Sequence, residues 1–117
     1  DDRLHVGDAL RFEVTTASTA HTALLALTDA EDEVFQLSPE GNESLEIRGQ
    51  TLLPGSIVVN NDPEPVLVVL IVRDQPFTHE AISEQLLESR RGTTLEQWTG
   101  DHIDGLEWSH IIIPETP

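Results

Sequence analysis

The sequence predicts a mainly β fold, a β-sandwich with one helix and a C-terminal strand. Three observations predict it. Apolar and polar residues alternate with period two in short stretches, as on half-buried strands. Turn-forming residues recur about every ten positions, the spacing of a sandwich or barrel. The run 66–72, VLVVLIV, is apolar throughout, as on a strand covered on both faces.

The first predicted strand is 9–15, where Leu10, Phe12 and Val14 point one way and Arg11, Glu13 and Thr15 the other. Gly7-Asp8 before it is a turn signal. The stretch 22–28, TALLALT, and the strand 33–37 with Val34, Phe35 and Leu37 read as a hairpin around the polar turn 29–32. Ser38-Pro39-Glu40-Gly41-Asn42 is a dense turn cluster. Asn42-Glu43-Ser44 matches a glycosylation sequon but reads as part of that turn. Leu45 and Ile47 alternate in a fourth strand, and 57–59 follows Pro54-Gly55 as a fifth. Pro63 and Pro65 donate no ladder bond, so the long apolar strand starts at Val66. Pro63, Pro65, Arg73 and Asp74 flank that run as gatekeepers against aggregation.

The pattern then turns helical over 79–91. Thr78 is placed as N-cap, with Phe77 and Ile82 spaced as a hydrophobic staple. Ala81, Ile82, Gln85, Leu86 and Ser89 form a narrow inner stripe. Glu80 and Glu84 suit the N-terminal half, Arg90 and Arg91 the last turn, and Gly92 the position after it. Thr94 through Gln97 has capping-box spacing, so a short turn of helix through Trp98 is expected. A loop over 101–105 leads to a last strand, 107–113, which stops at Pro114. The order is that of an immunoglobulin-like sandwich of about seven or eight strands with a helix at one edge or face.

The chain has 117 residues, 22 Asp plus Glu, and six basic residues that are all Arg, for a net charge of −16. One domain spanning 1–117 is expected, cut from a longer protein. The charge excludes a nucleic-acid binder working by phosphate neutralisation and argues against a basic membrane-surface peptide. Absence of Cys excludes disulfides, thiolate nucleophiles and Cys-ligated zinc. No apolar run is long enough to span a bilayer. Acidity with Arg but no Lys fits a halophilic surface, where salt screens carboxylate repulsion; it also fits basic partners or divalent cations.

Several segments together resemble a bacterial β-sandwich family, domain-of-unknown-function family 4384. Val6-Gly7-Asp8-Ala9-Leu10-Arg11-Phe12 resembles its opening "pGD-x-L-x-F". Stretch 22–28 is similar to its "gyl-x-l" strand, and the segment from Phe35 to Gly41 to its "v-x-l-y-P" turn. The segment from Leu53 to Val59 resembles "lPgsivld", and that from Val68 to Phe77 the strand leading through "Pf" into a helix. The resemblance covers roughly 5–90, and its weight lies in the order and spacing of strand-and-turn motifs. Where the family carries Gly-x-Glu before the long strand, this chain has Pro63-Glu64-Pro65-Val66. The family lends no catalytic residues. It implies an extracytoplasmic, periplasmic domain of an anti-sigma-factor-like or kinase-linked membrane protein, tethered through a membrane segment; a cytoplasmic location stays open.

The residues themselves offer three function classes. Five scattered His residues lack zinc spacing, and His102 near His110 reads as a solvated loop residue. Asp29, Glu31 and Asp32, and in a second loop Asp101 and Asp104, are the candidate ligands for calcium, although neither loop has EF-hand spacing. Ser109-His110 and Ser18 near His21 are the Ser/His neighbours; adjacent strand residues face opposite ways, so Ser109 and His110 are not expected to meet. No nucleophile-elbow, Walker or dinucleotide motif is present. The sequence therefore predicts a non-catalytic interaction or sensory domain with a protein partner and no resident cofactor. Trp98 and Trp108 are its candidate interaction residues, because Trp is enriched at interface hot spots. A calcium- or ligand-binding module and an uncharacterised enzyme are the alternatives.

Overall fold

The structure, a computed structural model, describes residues 9–28, 34–54, 57–58, 66–95, 97–100 and 103–112. The fold is mainly β. In chain order the elements are β1 (Ala9–Leu10), β2 (Glu13–Thr28), β3 (Val34–Ser38), β4 (Leu45–Leu52), β5 (Ile57–Val58), β6 (Val66–Arg73), α1 (His79–Arg90) and β7 (Leu106–Ile112). β1 and β5 form a two-stranded sheet; the other five strands form one antiparallel sheet.

β2 organises the larger sheet. One edge pairs with β6 from His21↔Arg73 to Thr28↔Val66. The other edge is shared end to end, by β4 along Glu13–Thr22 and by β3 along Leu24–Leu27. β6 in turn pairs with β7, which ends the sheet. The β2–β4 ladder slips between Thr16 and Ala20, where Ala17, Ser18 and Thr19 bulge into solvent.

The apolar run predicted to be covered on both faces is covered on both faces. Leu67, Val69 and Ile71 of β6 join Ala23, Leu25 and Leu27 of β2 in a core against α1. Val68 and Leu70 join Val14, Ala20, Leu24, Ile47 and Leu53 in a second core on the opposite face. Each fully buried Leu or Ile contributes about 1.5–3 kcal/mol of apolar burial, so these two clusters dominate the stability. Thr22 of β2, fully buried, donates its hydroxyl to the Ile71 carbonyl at 2.7 Å, which removes the cost of an unpaired polar group.

The helix begins as its residues dictate. The Thr78 hydroxyl accepts from the Ala81 N–H, and Phe77 and Ile82 are both buried. The turn after β3 supports the same end: the Asn42 carbonyl accepts from His79 N–H and its side chain from Glu80 N–H. His79, the first helical residue, is half-buried and donates Nε2–H to the Val34 carbonyl at 2.7 Å. Arg91 is the C-cap rather than the last helical residue, and Gly92 takes the left-handed conformation (φ 79°) that ends the helix. No helix among the described residues is long and apolar enough to cross a membrane.

Other boundaries shift for identifiable reasons. The predicted strand 9–15 breaks at Arg11-Phe12 into β1 and the start of β2, because the Phe12 carbonyl turns to accept from Leu53 N–H. Predicted strand 22–28 is the end of β2. β4 runs five residues past Ile47 because β2 is long enough to pair with it. The expected helical turn through Trp98 is a pair of tight turns, Gln97 N–H to the Thr94 carbonyl and Trp98 N–H to the Leu95 carbonyl. Thr94 Oγ1 still caps Gln97 N–H as the spacing requires. The predicted turn 29–32 and Glu33, the first residue of the predicted strand after it, lie outside the described residues.

Candidate functional site

The two tryptophans lie on opposite faces of the sheet. Trp98 is 8% exposed in the helix-side core, and its indole N–H donates to Ser89 Oγ at 2.8 Å. Trp108, on β7, sits opposite Leu70 of the other core and is 38% exposed. The candidate pair does not form one patch. Trp98 fastens the segment after α1 to the helix, and Trp108 is partly exposed on the other face.

Trp108 is held by two rings. Phe12 and Trp108 meet in a T-shaped arrangement, with centroids 5.2 Å apart and planes at 64°. His110 lies two residues along the strand on the same side and stacks at 5.8 Å and 23°. Such arrangements are worth about 0.5–1.5 kcal/mol beyond burial and hold a ring in place. Strand alternation makes the Trp108–His110 pairing readable from sequence. Phe12 is not readable this way, since nearly a hundred residues separate it from Trp108. Among the described residues, the other exposed large apolar side chains, Phe35 and Leu52, belong to β3 and β4 at the far side of the sheet.

Among the described residues, no three His, Asp or Glu side chains gather as metal ligands. Asp29, Glu31, Asp32, Asp101 and His102 lie outside the described residues. Asp104 is exposed; its carbonyl accepts from Arg73 Nε at 2.8 Å, and its carboxylate lies 3.9 Å from the same nitrogen. Arg73 also donates to Gln85 and lies over the Phe77 ring at 5.3 Å, so it ties β6, α1 and the loop before β7 together. Ser109 and His110 alternate along β7, opposite Val69 and Val68 of the two different cores. Shallow hollows flank α1. One is lined by Glu84, Gln85, Glu88, Ser89 and Ile103, another by His21, Glu43, Ser44, Glu46 and the start of the helix.

No family model, curated protein or solved structure matches the chain.

Proposed function

We propose that this chain is a non-catalytic interaction or sensory domain of a bacterial envelope signalling protein, and that it meets its partner at Trp108. The observation that carries the docking half is a tryptophan 38% exposed yet clamped by Phe12 and His110 at the end of a sheet. A rigid, partly wet indole loses little entropy on docking and offers a large apolar area. The envelope half is supported by the sequence resemblance described above.

A photoreactive phenylalanine analogue in place of His110, in cells of the source organism, tests the reading. We expect a discrete adduct with an envelope protein. The same analogue in place of Glu80, on the outer side of α1, gives none. No adduct at His110, or the same adducts from both positions, removes the reading.

A further inference from the structure

We infer that the outer edge of β7 takes up an extended segment of a basic protein, which adds as a strand beside Trp108 and sets a cationic side chain on its ring. The inference rests on the interaction reading above and names the partner's chemistry.

Three features carry it. First, β7 ends the five-stranded sheet, and no strand among the described residues pairs with its outer edge. Such an edge presents unpaired N–H and C=O groups to any extended chain. Second, the sheet's two sides are defended differently. On the other side, β3 is met by α1, whose His79 donates to the Val34 carbonyl, and β4 carries Glu46 and Arg48 exposed, Gly49 at a φ of 72°, and a register slip where β2 bulges. Charges and bulges are the usual protections against edge pairing. β7 carries one charge, Glu107, at its start beside its one slip, and from Trp108 through Ile111 it has no charged residue and no Pro.

Third, charge selects the occupant. A second copy would bring another −16 against the first, so self-pairing along β7 is opposed by repulsion. A basic chain is attracted by the same field. Asp104 just before β7 and Glu107 within it are exposed. The alternation of an added strand brings every second side chain to the Trp108–His110 face. A Lys or Arg there meets the aromatic ring that holds a cation best.

The probe is a short peptide alternating valine and arginine, titrated into the full chain and followed by backbone amide and indole NMR signals. Two controls accompany it: the same peptide with glutamate for arginine, and the arginine peptide N-methylated at every second residue, which cannot complete a ladder. We expect shifts confined to 106–112, Phe12 and the Trp108 indole, weakened by added salt. Both controls should bind at least roughly tenfold more weakly, and Trp108→Ala and Trp108→Leu should each weaken the arginine peptide by a similar factor. Unchanged amide dispersion and melting keep either variant's loss from being read as unfolding, and Trp108→Leu separates the ring from bulk.

Equal binding of the glutamate or the methylated peptide overturns the inference. So do shifts centred on the carboxylates of α1, or concentration-dependent shifts of 106–112 without peptide, which mean a second copy takes the edge. Failure of the arginine peptide while the cross-link at His110 persists removes the basic strand and leaves the interaction reading. Absence of the cross-link removes that reading whatever the peptide does.

Discussion

The indole of Trp98 is enclosed and hydrogen-bonded to Ser89, whereas that of Trp108 is stacked at the rim. Their substitutions should therefore diverge. Trp98→Ala empties part of the helix-side core and should cost about 3–5 kcal/mol. Trp108→Ala removes a partly wet ring and should cost about 1–2 kcal/mol, mostly its contacts with Phe12 and His110. Chemical denaturation of the two variants checks the order, and equal losses would contradict the placement of the rings. Gly100 shows a similar local constraint. Its φ is 71°, and an added Cβ would lie 2.5 Å from both Leu106 Cδ2 and the Trp98 ring. Gly100→Ala should therefore destabilise by about 1–3 kcal/mol through strain and displaced rings. Gly49, with φ of 72° and nothing within 4 Å of an added Cβ, should lose only the backbone part on Gly49→Ala, about 1 kcal/mol. A Gly100 variant no worse than the Gly49 variant would mean that the Trp98 packing is wrong.

At the scale of elements, α1 separates capping from packing. Thr78→Ala removes the Oγ1 acceptor of Ala81 N–H and should cost about 1 kcal/mol, since Asn42 still holds Glu80 N–H. Leu86→Ala removes a fully buried side chain of the helix-side core and should cost about 2–5 kcal/mol. Comparable losses in thermal unfolding would mean that the helix is held by its end rather than by its face. This contrast also explains what was legible. The cap, the staple and the terminal glycine of α1 are local chemistry, and the sequence states them outright. β6 is legible because seven apolar residues in succession have to be covered on both faces. The sixteen residues of β2 are not: its middle, from Thr16 to Ala20, is small and polar, and bulges where β4 pairs with it. Its strand character comes from partners dozens of residues away, which no local pattern announces. The aromatic rim is half legible for the same reason, Trp108 and His110 from alternation and Phe12 only from the fold. The split of the two tryptophans between faces also needs the fold, because their nearness in sequence does not say which face each takes.

For the whole molecule, the charge sets how stability responds to salt. If every one of the six Arg paired with a carboxylate, 16 acidic side chains would still have no basic partner. Unfolding spreads those charges apart, so their mutual repulsion acts against the compact state. Salt acts oppositely on attractive contacts such as Arg73–Asp104, but that pair sits 3.9 Å apart with Asp104 exposed, and surface pairs are worth about 1 kcal/mol at most. Repulsion therefore prevails, and the melting temperature should rise with added potassium chloride. Screening accounts for the rise only if most of it occurs by a few tenths molar, where the Debye length has shrunk to about 5 Å or less. Sodium chloride should then act like potassium chloride. Sulfate should add a further, roughly linear gain through exclusion from the apolar surface the two cores bury. A melting temperature unchanged between dilute buffer and molar chloride would show that the carboxylates are already far enough apart in the fold not to oppose it. A rise that is linear from the outset and far steeper in sulfate would assign the effect to burial rather than charge.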